Sequence, residues 1–176
     1  MRDIVLYIGM SLDGYIADRN GQVDWLEGQD SADQTPGSYE QFIKSIDTVV
    51  MGWNTYHQIT TELSPDQWVY SGMKSYVLTS RELDSSDEII FWNQGLEPLM
   101  TDLRGLPGKD IWICGGASIV NQLVQADLID RYTVTIIPTL LGGGIKLFRE
   151  GNPELKFRLV SAVSYNGMTD LTYERR

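Results

Sequence analysis

The chain has 176 residues, a length that favours a single domain over residues 1–176. Hydrophobic residues make up 42% of it and charged residues 22%, which is enough for a sizeable core and excludes a disordered polypeptide. A formal net charge of −10 without a basic patch opposes binding to nucleic acid or anionic membranes, and no apolar run is long enough to span a bilayer.

The first half of the chain alternates predicted strands and helices. An apolar, β-branched run predicts a strand over Ile4–Met10, and a long polar loop follows over Ser11–Pro36. Ser38 and Gln41 form a capping-box pattern, which predicts a helix that continues to about Ile46. Further strands are predicted at Thr48–Met51, Ser75–Thr79 and Ile89–Trp92, and a further helix start at Gly52–Thr55.

The second half continues this alternation and then becomes antiparallel. The pattern predicts a short helix at Pro98–Leu103, then a strand, a Gly-Gly turn and a helix over Ile111–Ala126, and a strand at Tyr132–Ile137. An Asn-Gly pair between Phe157–Val163 and Thr169–Tyr173 is the strongest short signal of a hairpin. The sequence therefore predicts an α/β fold with a mostly parallel central sheet, helices on both faces and an antiparallel C-terminal hairpin.

The segment DIWICGGASIVN, Asp110–Asn121, predicts a corner that binds phosphate. A buried strand runs into Gly115 and Gly116, and the apolar positions after Ser118 have helical spacing. Glycine lets main-chain N–H groups approach a ligand, and a helix start adds unpaired N–H groups and a positive dipole end. This favours a nucleotide cofactor, with a simple tight turn as the alternative, since neither the G-x-G-x-x-G nor the P-loop spacing is present.

Two other predicted strands also end at small or hydroxyl-bearing residues, one at Gly52 and one at Thr79-Ser80-Arg81. Ligands of open α/β sheets bind outside the carboxyl ends of the strands, so three such exits on one edge could hold a dinucleotide. Arg81 is the predicted partner of a ribose 2′-phosphate, because its guanidinium matches phosphate oxygens. The alternative is a solvated arginine paired with Glu82 or Asp84.

Six segments resemble a known family in matching order: MSLDGYIAD (Met10–Asp18), VDWL (Val23–Leu26), TVVMGWNTY (Thr48–Tyr56), YVLTSRE (Tyr76–Glu82), IWICGGAS (Ile111–Ser118) and IIPTLLGGGIKLF (Ile136–Phe148). Together they resemble the dihydrofolate-reductase-like superfamily. The most similar branch is the C-terminal reductase domain of the bifunctional riboflavin-biosynthesis deaminase/reductase and its stand-alone relatives. The resemblance covers nearly the whole chain. It implies a dihydrofolate-reductase-like fold, NADPH as hydride donor and commonly a homodimer.

The resemblance also implies which residues contact NADPH, and it implies a peptide bond between Gly115 and Gly116 that is often cis. The implied contacts are Gly9, Ile16 and Ala17 at the nicotinamide, Gly52, Trp53, Asn54 and Thr55 at a second phosphate-binding helix start, Leu78, Thr79, Ser80 and Arg81 at the adenosine, and Gly115, Gly116, Ala117, Ser118 and Ile119 along the pyrophosphate.

The chain departs from this family pattern at two positions. A basic residue that helps to hold the 2′-phosphate is usual after Gly52, but here Trp53 follows, and tryptophan cannot neutralise phosphate. This leaves the preference for NADPH over NADH resting on Arg81. Dihydrofolate reductases carry a carboxylate on the first helix, at a position that corresponds to Ser38. Glu40 is more than half a helical turn away from that position, which argues against true dihydrofolate reduction.

Hydride transfer to a C=N or C=O carbon also requires a proton from a side chain or water. Asp13 is the first candidate for this catalytic role and Glu40 the second, with a turn-forming Asp-Gly and a helix-start charge as the alternatives. Asp24 and Trp25 are predicted substrate contacts. Their alternatives are a solvated loop charge and a loop anchor packed on the core.

The sequence favours an NADPH-dependent reductase of a small heterocycle, such as an aminopyrimidine or a pterin. The alternatives are a non-catalytic, dimeric NADPH-binding module and a true dihydrofolate reductase. His57, the only histidine, is predicted to lie at the surface or an interface, and no metal site is predicted. Cys114, the only cysteine, is predicted to be a small buried hydrophobe. The chain shows no leader pattern, so we expect a cytoplasmic protein with a small-molecule partner.

Overall fold

The computed structural model describes residues 1–176 and contains ten strands and four α-helices. In chain order they are β1 (Ile4–Ser11), β2 (Tyr15–Ala17), α1 (Tyr39–Lys44), β3 (Ile46–Gly52), α2 (Trp53–Gln58), which a π-helical turn (Ile59–Leu63) continues, β4 (Lys74–Leu78), β5 (Ile89–Trp92), α3 (Leu96–Gly105), β6 (Asp110–Gly115), α4 (Ala117–Gln125), β7 (Arg131–Ile137), β8 (Ile145–Lys146), β9 (Phe157–Tyr165) and β10 (Met168–Arg175).

Eight of the strands form one sheet in the order β5-β4-β3-β6-β1-β7-β10-β9. Every neighbouring pair from β5 to β7 is parallel, whereas β10 pairs antiparallel with both β7 and β9. The β9–β10 hairpin turns at Asn166 and Gly167, whose φ angles of 45° and 74° suit a tight two-residue turn. The predicted parallel sheet with an antiparallel C-terminal hairpin is confirmed.

Helices cover both faces of the sheet because the central strands are apolar on both sides. On β6, Ile111 and Ile113 belong to a core that also includes Leu99 of α3 and Leu123 of α4. The alternate residue Trp112 belongs to a second core on the opposite face, against which residues of α1 and α2 pack. Packing between these two cores aligns the parallel strands, so that their carboxyl ends lie along the same side of the sheet.

Helix α1 differs from the prediction at both ends. The predicted capping box is wrong, because the Ser38 side chain does not cap the helix and its hydroxyl instead donates a hydrogen bond to Asp170 at 2.6 Å. The helix ends at Lys44, whereas the predicted helix continued to about Ile46. Ile46 is instead the first residue of β3. A buried carboxylate is a stronger partner for the hydroxyl than a neutral main-chain N–H group.

The long loop between β2 and α1 is fastened to the tip of the β9–β10 hairpin. The main-chain N–H groups of Gln29 and Asp30 donate to the carbonyl and side-chain oxygens of Asn166 at 3.0 and 2.9 Å. The Asn166 amide in turn donates to the Asp30 carbonyl oxygen at 2.9 Å. These bonds hold the loop beside the carboxyl ends of the strands. No helix of the structure combines the length and the apolar character that crossing a bilayer requires.

Candidate active site

A cavity of about 910 Å³ opens at the carboxyl ends of the parallel strands. Residues after β3, β4 and β6 line it, together with β1, β2 and the long loop that follows β2. This is the position at which open α/β sheets bind their ligands. Its volume lies within the range of pockets for small molecules and cofactors.

Nearly all residues that the resemblance assigns to NADPH lie together on the wall of this cavity. Arg81 and Gly115 do not line it themselves. The assigned residues that do are Gly9, Ile16, Ala17, Gly52, Trp53, Asn54, Thr55, Leu78, Thr79, Ser80, Gly116, Ala117, Ser118 and Ile119.

Main chain dominates the corner between β6 and α4. The Gly115–Gly116 peptide bond is cis, and Gly115 has a φ of 129°, a conformation that favours glycine. No side chain caps α4, so the N–H groups of its first turn face the cavity without a capping partner. A Cβ atom on Gly116 would lie 3.5 Å from Oγ1 of Thr55, which shows how closely the start of α2 faces this corner. The two helix starts therefore lie side by side on the cavity wall.

Arg81 lies at the other side of α2, stacked on Trp53. Its Cζ atom is 4.4 Å from the centroid of the indole ring, which is a cation–π contact. His57 stacks against the same ring with a centroid distance of 5.5 Å and an interplanar angle of 15°. Arg81 forms no ion pair with Glu82 or Asp84. Trp53 thus carries no charge at the position where the resemblance implies a basic residue, but its ring holds the charged Arg81 side chain.

Asp13 lies outside the cavity and is fully engaged in hydrogen bonds. Its carboxylate accepts bonds from the Ser11 hydroxyl at 2.6 Å and from the main-chain N–H groups of Leu141 and Gly142 at 3.1 and 2.8 Å. The bond from Ser11 is the main cause that lowers the pKa of Asp13 below its ordinary value. An ionised, fully bonded carboxylate is a poor proton donor, so this placement favours the turn-forming interpretation of Asp13.

The other predicted catalytic and substrate residues also lie away from the cavity wall. Glu40 is exposed on α1, and Asp24 is exposed in the long loop. The indole N–H of Trp25 donates to the Gln22 carbonyl oxygen at 3.0 Å, which is consistent with a loop anchor. Leu26, the residue after Trp25, lines the cavity instead.

Tyr70 and Cys114 line the cavity and are functional candidates that sequence reasoning missed. The Tyr70 hydroxyl lies 3.5 Å from the Cys114 Sγ atom. Burial raises the pKa of Cys114 to about 11 and also raises the pKa of Tyr70 above its ordinary value. Both groups therefore keep their protons at neutral pH. The position of Cys114 directly before the Gly-Gly pair was a usable signal, whereas nothing in sequence marks Tyr70.

Asp170 on β10 places a carboxylate beside Ser38, the position at which dihydrofolate reductases carry their helix carboxylate. Asp170 is 1% exposed. Its oxygens accept hydrogen bonds from the Ser38 N–H and hydroxyl groups and from the hydroxyls of Tyr7, Thr135 and Tyr165, at distances of 2.6 to 3.1 Å. Burial alone would raise the pKa of Asp170, but these bonds outweigh it and lower that pKa. Asp170 does not line the cavity, so we assign it a structural role.

The structure places no three His, Cys, Asp or Glu side chains close enough together to bind a metal ion. His57 is exposed at the rim of the cavity, where its ring contacts Trp53. The cavity wall offers the N–H groups of two helix starts, the Tyr70 hydroxyl, the Cys114 thiol and the charged side chains of Glu62 and Arg149, with Arg81 nearby on Trp53.

Comparison with known proteins identifies the family. The family model of the RibD C-terminal domain matches residues 2–169. The uncharacterized protein YwjB of Bacillus subtilis (strain 168) is 37% identical over 175 residues, covering 99% of this chain and 98% of that protein.

Solved structures agree with this assignment. A protein of Shewanella sp. PV-4, described as a candidate riboflavin biosynthesis protein, has a TM-score of 0.84 at 31% identity, over 100% of this chain and 99% of that one. The Thermotoga maritima diaminohydroxyphosphoribosylaminopyrimidine deaminase/5-amino-6-(5-phosphoribosylamino)uracil reductase has a TM-score of 0.72 at 15% identity, a likeness of fold. This chain covers 57% of that longer protein. The chain belongs to the RibD C-terminal domain family and has the dihydrofolate-reductase-like fold that its sequence predicted.

Proposed function

We propose that this protein is an NADPH-dependent reductase that transfers a hydride to a C=N or C=O carbon of a small heterocyclic compound. The observation that carries the proposal is the meeting of two helix starts, at Gly52–Thr55 and Gly116–Ile119, side by side on the wall of one cavity. Main-chain N–H groups in such an arrangement suit a pyrophosphate.

The residues present fit NADPH along the whole cavity. Gly116, Ala117 and Ser118 would hold the pyrophosphate, because no side chain of their own blocks or caps the corner. Arg81, held by Trp53, would pair with the 2′-phosphate through its guanidinium. Membership of a family of riboflavin-type reductase domains supports the same cofactor.

The chain would contribute position and a proton, while bound NADPH supplies the hydride from C4 of its nicotinamide. Ile16 and Ala17 on β2 and Leu26 in the long loop would pack against the bound nicotinamide and the acceptor and so limit the access of water to them. The Tyr70 hydroxyl lines the same cavity, so we assign to its Oη atom the hydrogen bond to the acceptor heteroatom, through which a proton passes from water to the product.

The geometry gives less support to the two alternatives. A true dihydrofolate reductase would need a carboxylate facing its ligand, but Asp170 beside Ser38 is buried and directs its oxygens to hydroxyl and N–H groups of the protein. A non-catalytic NADPH-binding module would need no proton donor in the cavity, whereas Tyr70 and Cys114 provide protonated groups there.

The direct test is NADPH oxidation, followed at 340 nm, with a panel of aminopyrimidines and pterins. We expect turnover of at least one aminopyrimidine and none of dihydrofolate. NADPH labelled with deuterium at C4 should transfer the label to the product. Tight NADPH binding without turnover of any compound would favour the binding module, and efficient dihydrofolate reduction would contradict the proposed substrate class.

We also propose that the protein forms a homodimer through β9. This strand lies at the edge of the sheet over nine residues, and Leu159, Val160 and Val163 are exposed on it. A long apolar edge strand leaves main-chain groups free to pair with another chain. Sedimentation velocity at micromolar concentration should show a dimer that Leu159→Lys converts to monomer. A wild-type protein that is only monomeric would refute this proposal.

A further inference from the structure

One part of the cavity, which we call the acceptor end, is lined mainly by apolar side chains. It consists of Val23 and Leu26 from the long loop, Ile59 and Leu63 from the π-helical turn, Tyr70, and Cys114 at the end of β6. A Cβ atom on Gly9 would lie 3.0 Å from a methyl carbon of Leu26, so the loop packs directly against β1 beside the expected nicotinamide position. An acceptor bound next to the nicotinamide must therefore contact these side chains.

The formal charges on the cavity wall are unevenly distributed. Glu62 and Arg149 are the only carboxylate and the only lysine or arginine among the residues that line it. Arg149 lies beside α4, where its main-chain N–H donates to Oδ1 of Asn121 at 2.9 Å. Glu62 lies between Ile59 and Leu63, at the acceptor end, and its nearest polar partner is the Gln58 amide at 3.5 Å. The acceptor end thus has a negative charge and no cation.

The nearby cation of the long loop is engaged elsewhere. The Arg19 guanidinium donates to the Gly142 carbonyl oxygen at 3.0 Å, and Arg19 does not line the cavity. Arg81 is stacked on Trp53 and does not line the cavity. Neither guanidinium is therefore placed to pair with an anion at the acceptor end.

These observations limit the chemistry of the acceptor. Glu62 stands at the acceptor end without a cation beside it, so a phosphate group bound there would be repelled and would find no guanidinium or ammonium partner. We infer that the hydride acceptor is an uncharged, phosphate-free ring compound whose apolar face packs on Leu26 and Ile59 and whose polar edge accepts a hydrogen bond from Tyr70. This inference rests on the proposed function and narrows its substrate class.

The contrast with a solved relative is direct. The Thermotoga maritima protein is named as a reductase of a phosphoribosylaminouracil, a compound that carries a phosphate. The acceptor end of the present chain has no cation of its own for such a group. The two proteins, although similar in fold, would therefore reduce different acceptors. The side chains of the acceptor end would determine that difference in substrate.

The test uses matched pairs of ring compounds that differ by one phosphate. The pairs are riboflavin and flavin mononucleotide, pyridoxal and pyridoxal 5′-phosphate, and a ribitylaminouracil with and without its 5′-phosphate. Each is titrated calorimetrically into protein saturated with NADP⁺. We expect the phosphate-free member to bind about tenfold more tightly or better in every pair that binds.

A charge reversal tests the cause of that preference. Glu62→Lys should raise the affinity of the phosphorylated members about tenfold and leave NADPH affinity unchanged, because it adds a cation at the acceptor end alone. Glu154→Lys is the matched control, since Glu154 is highly exposed and lies outside the cavity, and it should change neither affinity.

Each outcome bears on the inference. A phosphorylated member that binds more tightly in any pair overturns it, and so does a failure of every pair to bind while NADPH still binds, because the acceptor end then takes no ring compound of this class. Loss of NADPH binding itself would instead refute the proposed function, and the inference with it.

Discussion

The two ends of the cavity are built in different ways. Around Gly52 and Gly116 the wall is formed by the starts of two helices, and short local patterns in the sequence mark both positions. The acceptor end consists of side chains such as Leu26, Ile59 and Tyr70, which come from separate segments. The end at the helix starts determines which kind of cofactor fits, and the acceptor end determines which compound is reduced. Variants that affect one end and spare the other test this division.

The largest expected effect is at the main-chain corner. Gly116→Val places a branched side chain where we expect the pyrophosphate, and should weaken NADPH binding about a hundredfold or more, as measured by calorimetry. Gly105→Val is the matched control, because no atom lies near its Cβ position at the end of α3. NADPH binding that survives Gly116→Val in a folded protein would place the cofactor elsewhere.

The next effect concerns the choice between NADPH and NADH. Arg81→Ala should weaken NADPH binding about thirtyfold and leave NADH binding unchanged, because only NADPH carries the 2′-phosphate. Trp53→Leu should also weaken NADPH binding more than NADH binding, but by a smaller factor. It removes the ring on which Arg81 stacks and leaves the charge of Arg81 in place. Equal losses for both cofactors would show that Arg81 supports the fold and does not read the phosphate.

The end of the long loop at Ser38 should be held less firmly when Asp170 loses its charge. Asp170→Asn replaces the acceptor of five hydrogen bonds with a group that also donates, and should lower the free energy of unfolding by about 3 kcal/mol. Chemical denaturation with parallel NADPH titration measures this effect. The acceptor KM should rise more than the NADPH dissociation constant does.

The same variant has a defined pH dependence. Because the folded-state pKa of Asp170 is lowered, its stabilising contribution is present above the unfolded-state pKa and is lost as the pH falls through the folded-state pKa. The stability difference between wild type and Asp170→Asn should be constant near neutral pH and should shrink below about pH 4. A difference that grows as the pH falls would mean that the carboxylate is protonated in the native protein.

Tyr70→Phe should lower kcat about tenfold and leave NADPH affinity unchanged, because it removes one hydroxyl from the acceptor end. Tyr132→Phe is the matched control, since the buried Tyr132 hydroxyl has no hydrogen-bond partner and lies outside the cavity. An unchanged kcat would move proton donation from Tyr70 to water.

The smallest effect is expected for Asp13. Asp13→Asn should preserve NADPH affinity and lower kcat by about twofold or less, because Asp13 lies outside the cavity and bonds to Ser11, Leu141 and Gly142. The thermal midpoint should fall slightly. A loss of kcat as large as that of Tyr70→Phe would restore Asp13 as the leading proton donor.

The sequence predicted those features that short patterns determine. The strand ending at Gly115 and the helix beginning at Ala117 follow from a buried run, a Gly-Gly pair and helical spacing. The hairpin follows from Asn166-Gly167. Strands β2 and β8 are three and two residues long, which is too short for periodicity to show. Strand β2 fell inside the predicted loop Ser11–Pro36, and no element was predicted at β8.

Features that depend on contacts between distant segments could not be predicted. Trp53 departs from the family pattern by itself, and only the fold shows that its ring supports Arg81. Ser38 resembled a helix cap because the residue that claims its hydroxyl, Asp170, lies near the other end of the chain. Tyr70 has no flanking motif, and its proximity to Cys114 arises from tertiary packing alone.

The most direct test of the central claim is a calorimetric titration of the wild-type protein with NADPH, repeated with Gly116→Val. Saturable binding of one NADPH per chain, lost in the variant while the variant remains folded, is the result expected if main-chain groups at the two helix starts hold the cofactor. No heat and no thermal stabilisation with wild type would contradict the claim, and the proposed reductase activity with it.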